Sequence, residues 1–132
     1  MLKTPIYIVN YAGISPGLDS LLIMLEHLST VIKVVNYSVF SDKKAVLDGL
    51  YLFDFTTHEN FLMLDFARYY HKSLLSAALV NHNDYFLQHL VLEAGFLYLI
   101  LLPTDMALLK DTIYTILGNE DNEKVGLVHG LH

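Results

Sequence analysis

The chain contains no cysteine and no tryptophan, and only eight lysines and arginines stand against fourteen aspartates and glutamates in 132 residues. Without cysteine neither a disulfide nor a thiolate metal site can form, and nothing points to an oxidising compartment, so a cytoplasmic location is expected. A formal charge of −6 with no basic cluster argues against contact with nucleic acid by this chain alone, because such affinity comes mainly from neutralising phosphates. Long apolar runs are also missing. The longest, Ala94 to Pro103, is about ten residues, half of the roughly 20 that a membrane helix needs. The opening residues Met1 to Pro5 lack the basic region and long apolar stretch of a signal peptide. There is no Gly-rich phosphate loop around Gly13 and Gly17, and no serine in a nucleophile elbow. The histidines at 27, 58, 71, 82, 89, 129 and 132 show no HxxxH or HExxH spacing, so no metal site is expected.

What the chain has is apolar content, 54% of residues, enough for one domain with a two-sided core. Its most telling stretch is Gly49-Leu50-Tyr51-Leu52-Phe53-Asp54-Phe55, a near-continuous apolar run of the kind a strand shows when both its faces are covered. Four further strands read from β-branched, aromatic or small apolar runs: Ile6–Val9, Val31–Tyr37, Leu75–Val80 and Phe96–Leu101. Helices are expected between them. Ser15-Pro16 reads as an N-cap with proline at the first helical position, followed by Leu18, Leu21, Leu22, Leu25 and Leu28 at helical spacing. A short second helix spans 43–47, and a third carries Phe61, Leu64, Asp65, Arg68, Tyr69 and Lys72. The fourth runs from about Asp84 to Ala94 and stops at Gly95. A fifth, capped by Thr104 or Asp105, ends at Gly118. Residues 1–118 are then one domain, and 119–132 a charged tail or linker stub.

Strict alternation of five strands with five helices implies a parallel sheet with right-handed crossovers and helices on both faces. The expected class is α/β, a flavodoxin-like (βα)5 three-layer sandwich of strand order 2-1-3-4-5. Asn10, Asp54 and Asn81 then share the carboxyl edge of the sheet, where ligands collect in such folds.

In this order the chain resembles the receiver domains of bacterial response regulators. The resemblance rests on Asp54 at the end of the third strand and on Ala94-Gly95, a short strand, then Leu102-Pro103. It implies a phospho-acceptor role for Asp54, with Mg²⁺ held by an acidic pair after the first strand. Here those positions are Asn10 and Tyr11. The signalling Ser or Thr is matched by Asn81, the aromatic switch by Leu99 and the lysine before Pro103 by Leu102. The chain is therefore similar to atypical, or pseudo-, receivers such as those in front of LuxR-type helix-turn-helix regulators. That likeness implies a non-enzymatic domain in signal transduction that governs an attached or separate DNA-binding effector. Two alternatives stay open: a phosphorylatable receiver that uses Asp54 with Mg²⁺ at a degenerate metal site, and a small nucleotide or flavin binder.

The fourth helix carries an apolar band wider than the roughly 100° stripe that packing on one sheet face uses. The excess suggests a second contact, and the resemblance to receiver domains implies that it is a homodimer interface of the fourth helix, fifth strand and fifth helix, with Tyr85, Phe86, His89, Leu90, Met106, Leu109 and Tyr114 in it.

Overall fold

The computed structural model describes residues 2–11, 15, 17–41, 48–57, 59–65, 67 and 75–129. The expected second helix at 43–47, Pro16, His58, His71, His132 and the later part of the third helix with Arg68, Tyr69 and Lys72 lie outside these. Five strands form one parallel sheet in the order β2-β1-β3-β4-β5, as the alternation implied. They are β1 (Ile6–Asn10), β2 (Ile32–Asn36), β3 (Leu50–Asp54), β4 (Leu75–Asn81) and β5 (Leu99–Leu102). The described α-helices are α1 (Leu18–Glu26), α2 (Tyr85–Glu93) and α3 (Met106–His129), with 3-10 turns at Tyr37–Ser41 and Glu59–Met63. Leu64, Asp65 and Ala67 are helical, at the place of the expected third helix.

Alternation along the strands separates two cores. Ile6, Ile8, Leu50, Leu52, Ala77, Leu79, Ile100 and Leu102 face one side, where α1 and α3 close an aliphatic layer with Leu21, Leu25, Leu109, Ile113 and Ile116. Tyr7, Val9, Tyr51, Phe53, Ala78 and Val80 face the other, with Phe40, Met63, Leu87, Val91 and Phe96 over them. This second layer is aromatic: Tyr7 stacks on Tyr51 at 4.9 Å between ring centroids, and Phe96 meets the edge of Phe53 at 5.5 Å. Every residue of β1 and β3 is buried, which is why β3 reads as a continuous apolar run.

Gly49 leads into β3 where the first and third strands come together. A β-carbon there would lie 2.7 Å from Tyr7 Cε2 and 2.8 Å from the Pro5 carbonyl oxygen, which accepts the Leu50 amide at 2.9 Å. Gly49→Ala is therefore expected to lower stability by about 1–3 kcal/mol through overpacking. Urea unfolding measures it, and an unchanged midpoint would show that the backbone relaxes freely.

Three expectations are corrected. The first helix takes no cap from Ser15: its N-cap is Gly17, at φ 92, with no side-chain hydrogen bond. The last helix does not stop at Gly118 but continues to His129. A glycine ends a helix when a positive φ is needed there, and among the described residues only Gly17 and Gly95 have one. The fifth strand starts at Leu99 instead of Phe96, because leaving α2 uses the intervening residues. Gly95 turns at φ 107, and the Phe96 amide still bonds to the Val91 carbonyl at 3.2 Å. The polar starts of the later helices are as read: Asp84 accepts the Leu87 amide at 3.1 Å, and Asp105 accepts that of Leu108 at 2.8 Å.

Candidate functional site

Asp54 ends β3 at the carboxyl edge, and its side chain is fully buried. Burying a carboxylate is costly unless donors meet it, and here they do. Oδ2 accepts the Ser15 hydroxyl at 2.5 Å and the Asn60 side-chain amide at 2.9 Å. Oδ1 accepts the Thr56 amide at 2.9 Å and the Thr56 hydroxyl at 2.5 Å. A carboxylate offers about four lone-pair directions, so these four neutral donors fill it.

Asn60 is the hub of the cluster. Fully buried in the 3-10 turn after β3, it donates to Asp54 and, at 3.3 Å, to Ser15 Oγ. Its Oδ1 accepts the Tyr11 amide at 3.1 Å, which ties the segment after β1 to the segment after β3. Thr56 and Asn60 were not singled out from the sequence, and Ser15 not as a partner of Asp54. Ser15 before Pro16 reads as a helix cap, and Thr56 and Asn60 look like ordinary loop polarity. The usable signal was the need itself: a carboxylate closing a strand buried on both faces must find donors in the flanking loops.

The residues singled out along this edge have the following places. Asn10 closes β1 and is buried. Tyr11 is half-buried and stacks on Tyr37 at 5.0 Å, while its carbonyl accepts the Asn36 side-chain amide at 2.9 Å. Asn81 closes β4, and its Nδ2 donates to the Thr56 carbonyl at 3.0 Å. Leu102 is buried before a cis bond to Pro103, and its carbonyl accepts the His82 amide at 2.8 Å. Leu99 packs toward the aromatic layer and Tyr98 toward the aliphatic one, on opposite faces as the period of two requires. Asn10, Asp54 and Asn81 thus share one edge, and Asn81 reaches the Asp54 loop through Thr56. Among the described residues no three His, Asp or Glu side chains are grouped to hold a metal ion.

A second surface lies around β5, an edge strand of the sheet. Tyr85 and Phe86 in the first turn of α2 are 75% and 72% exposed, Leu97 and Leu108 are exposed, and Leu101 points outward from β5. Met106 and Leu90 are half-buried, and Tyr114 is exposed beneath Lys110 Nζ, 5.8 Å from the ring centroid. His89 is exposed and paired with Glu93 at 2.9 Å. Leu109 does not belong with them: it is closed into the aliphatic core, where α3 meets the sheet.

No family model matches the chain, and no curated protein matches its sequence. Solved structures do. Full-length FixJ from B. japonicum superposes with a TM-score of 0.63 at 15% identity, over 89% of this chain and 59% of that one. RcsB, in a structure of two dimers on two parallel DNAs, superposes with a TM-score of 0.64 at 12% identity, over 89% of this chain and 62% of that one. The fold is that of a response-regulator receiver domain. A further receiver-fold match is RcsB from Salmonella enterica serovar Typhimurium, bound to promoter rprA with the phosphomimetic BeF3−, at a TM-score of 0.58 and 15% identity over 84% of this chain and 66% of that one. The chain spans about three fifths of the length of the first two, so the match places this receiver fold on part of a longer protein in each. No described helix is long and apolar enough to cross a membrane.

Proposed function

We propose that this chain is a non-catalytic regulatory domain of signal transduction, working in the cytoplasm, that self-associates through α2, β5 and α3 and controls a DNA-binding effector, attached or separate. The observation that carries the reading is the closed state of Asp54. A carboxylate whose lone pairs are already taken by Ser15, Thr56 and Asn60 has none left for a phosphoryl group or a cation. Its neighbours fit Mg²⁺ poorly. A hard divalent ion wants several carboxylate oxygens, and Asn10 and Tyr11 are neutral. Leu102 supplies no charge where the receiver pattern has lysine, and each lost electrostatic contact of this kind costs about 2–4 kcal/mol of transition-state stabilisation. The regulatory role draws on the fold, and the DNA-binding effector on two of the similar structures, which hold RcsB on DNA.

Phosphorylation at Asp54 is the competing reading. On incubation with acetyl phosphate and Mg²⁺, the intact mass of the protein is expected to stay unchanged, and beryllofluoride with Mg²⁺ to give no bound fluorine resonance. A mass gain of one phosphoryl group that vanishes in Asp54→Asn would overturn the proposal and establish a phosphorylatable receiver.

A further inference from the structure

The first turn of α2 presents Tyr85 and Phe86 to solvent, while the helix packs on the aromatic layer through its other face. Only Leu87 and Val91 of its nine residues are buried. Leu90 packs half-buried against the same aromatic layer, so this face seats the helix, and the polar contacts at its start hold the first turn that carries the aromatic pair. Those contacts are unusually complete. Gln88 donates both side-chain N–H groups to consecutive carbonyls, Asn81 at 3.0 Å and His82 at 3.1 Å. Asp84 caps the Leu87 amide through its side chain and accepts the Gln88 amide on its carbonyl. The loop itself is held on both flanks: the His82 amide bonds to the Leu102 carbonyl of β5, and Asn81 Nδ2 bonds to the Thr56 carbonyl beyond β3. Thr56 is in turn fastened to Asp54 by its amide and hydroxyl.

We propose that Asn81 and Gln88 form a clasp that sets the orientation of α2 on the Asp54 edge, and with it the presentation of the Tyr85–Phe86 face. The physical basis is reach. A serine or threonine hydroxyl ends one bond from Cβ, whereas the asparagine amide extends a further bond and carries two donor hydrogens, enough to span from the end of β4 to the Thr56 carbonyl directly. Gln88 then passes that fixed position to the helix. The clasp rests on the proposed regulatory reading only where it predicts self-association; its effect on α2 stands by itself.

The test uses the full chain and two readouts. Amide hydrogen exchange by NMR is measured for Gln88→Met, which keeps the length of the side chain and removes both donors, and for Asn81→Ala. In each, the amides of α2 are expected to exchange about tenfold faster, the loss of one to two net hydrogen bonds, while those of β1 and β3 stay as in the parent. Gln88→Lys, which retains N–H donors at similar reach, is expected to restore most of the protection. Sedimentation equilibrium is expected to show self-association weakened several-fold in the first two variants and near parental in the third. Exchange in α2 within twofold of the parent in both variants overturns the clasp, as does acceleration spread equally over β1 and β3. A parent protein that stays monomeric overturns the self-association reading instead, and the exchange data still decide the clasp.

Discussion

Asp54→Ala is expected to lower the stability of the domain by about 3 kcal/mol or more, an outcome opposite to that of an exposed phospho-acceptor, whose removal costs activity and little else. Alanine takes the acceptor from the buried Ser15 hydroxyl and one of the two acceptors from the buried Asn60 amide, which keeps Ser15 Oγ, and a buried donor that loses its acceptor costs about 1–3 kcal/mol. The two Thr56 groups lose their acceptor as well, but Thr56 is half-buried and water replaces part of that loss. Asp54→Asn is the milder change. Its remaining oxygen still accepts from Thr56, and the new amide faces Asn60 donor to donor, while the Ser15 hydroxyl can rotate to accept. A loss about half as large is expected. For a domain of this size, 3 kcal/mol corresponds to a fall of roughly 10 °C in melting temperature. Urea unfolding of the three proteins decides the matter, and an alanine variant within about 0.5 kcal/mol of the parent would show that the network is incidental.

The second large effect concerns the surface around β5. Replacing Tyr85 and Phe86 together by serine is expected to weaken self-association at least 100-fold while leaving the unfolding midpoint in place. Large aromatic anchors at the centre of an interface each contribute about 2 kcal/mol or more, and two of them amount to several powers of ten in affinity when they act independently. Their effect on the fold is small because both side chains are mostly in solvent. β5 adds a reason for this surface to be covered. Phe96 to Leu102 contains no charged residue, so the edge strand lacks the charges that commonly guard such an edge against pairing. Light scattering across a concentration series reads the result. An unchanged dissociation constant in the double variant would move the interface elsewhere, and a parent protein that is monomeric at high micromolar concentration would remove it.

Legibility followed the range of the interactions. Patterns that arise from one element meeting a core were readable: the run through Phe53 announced a strand covered on both faces, the leucines from 18 to 25 a helix with one buried side, and Asp105 a helix start. Alternation of those elements was enough for the parallel sheet, since crossovers have one hand, and the order 2-1-3-4-5 was the expectation for a chain of this length. Signals that depend on what lies opposite in space were misread. Gly118 looks like a helix stop, but its backbone is never asked for a positive φ, and Leu109 looks like interface only until the sheet beneath it is in place.

The amino-acid sequence by itself determined the fold, the position of Asp54 at the carboxyl edge of β3 and the absence of acidic and basic partners at Asn10, Tyr11 and Leu102. Only the tertiary structure decided what became of the buried carboxylate. Ser15, Thr56 and Asn60 belong to two separate loops and carry no spacing that links them; they meet because β1 and β3 are neighbours in the sheet. A carboxylate out of water needs its lone pairs filled, and the loops of adjacent strands are the groups within reach.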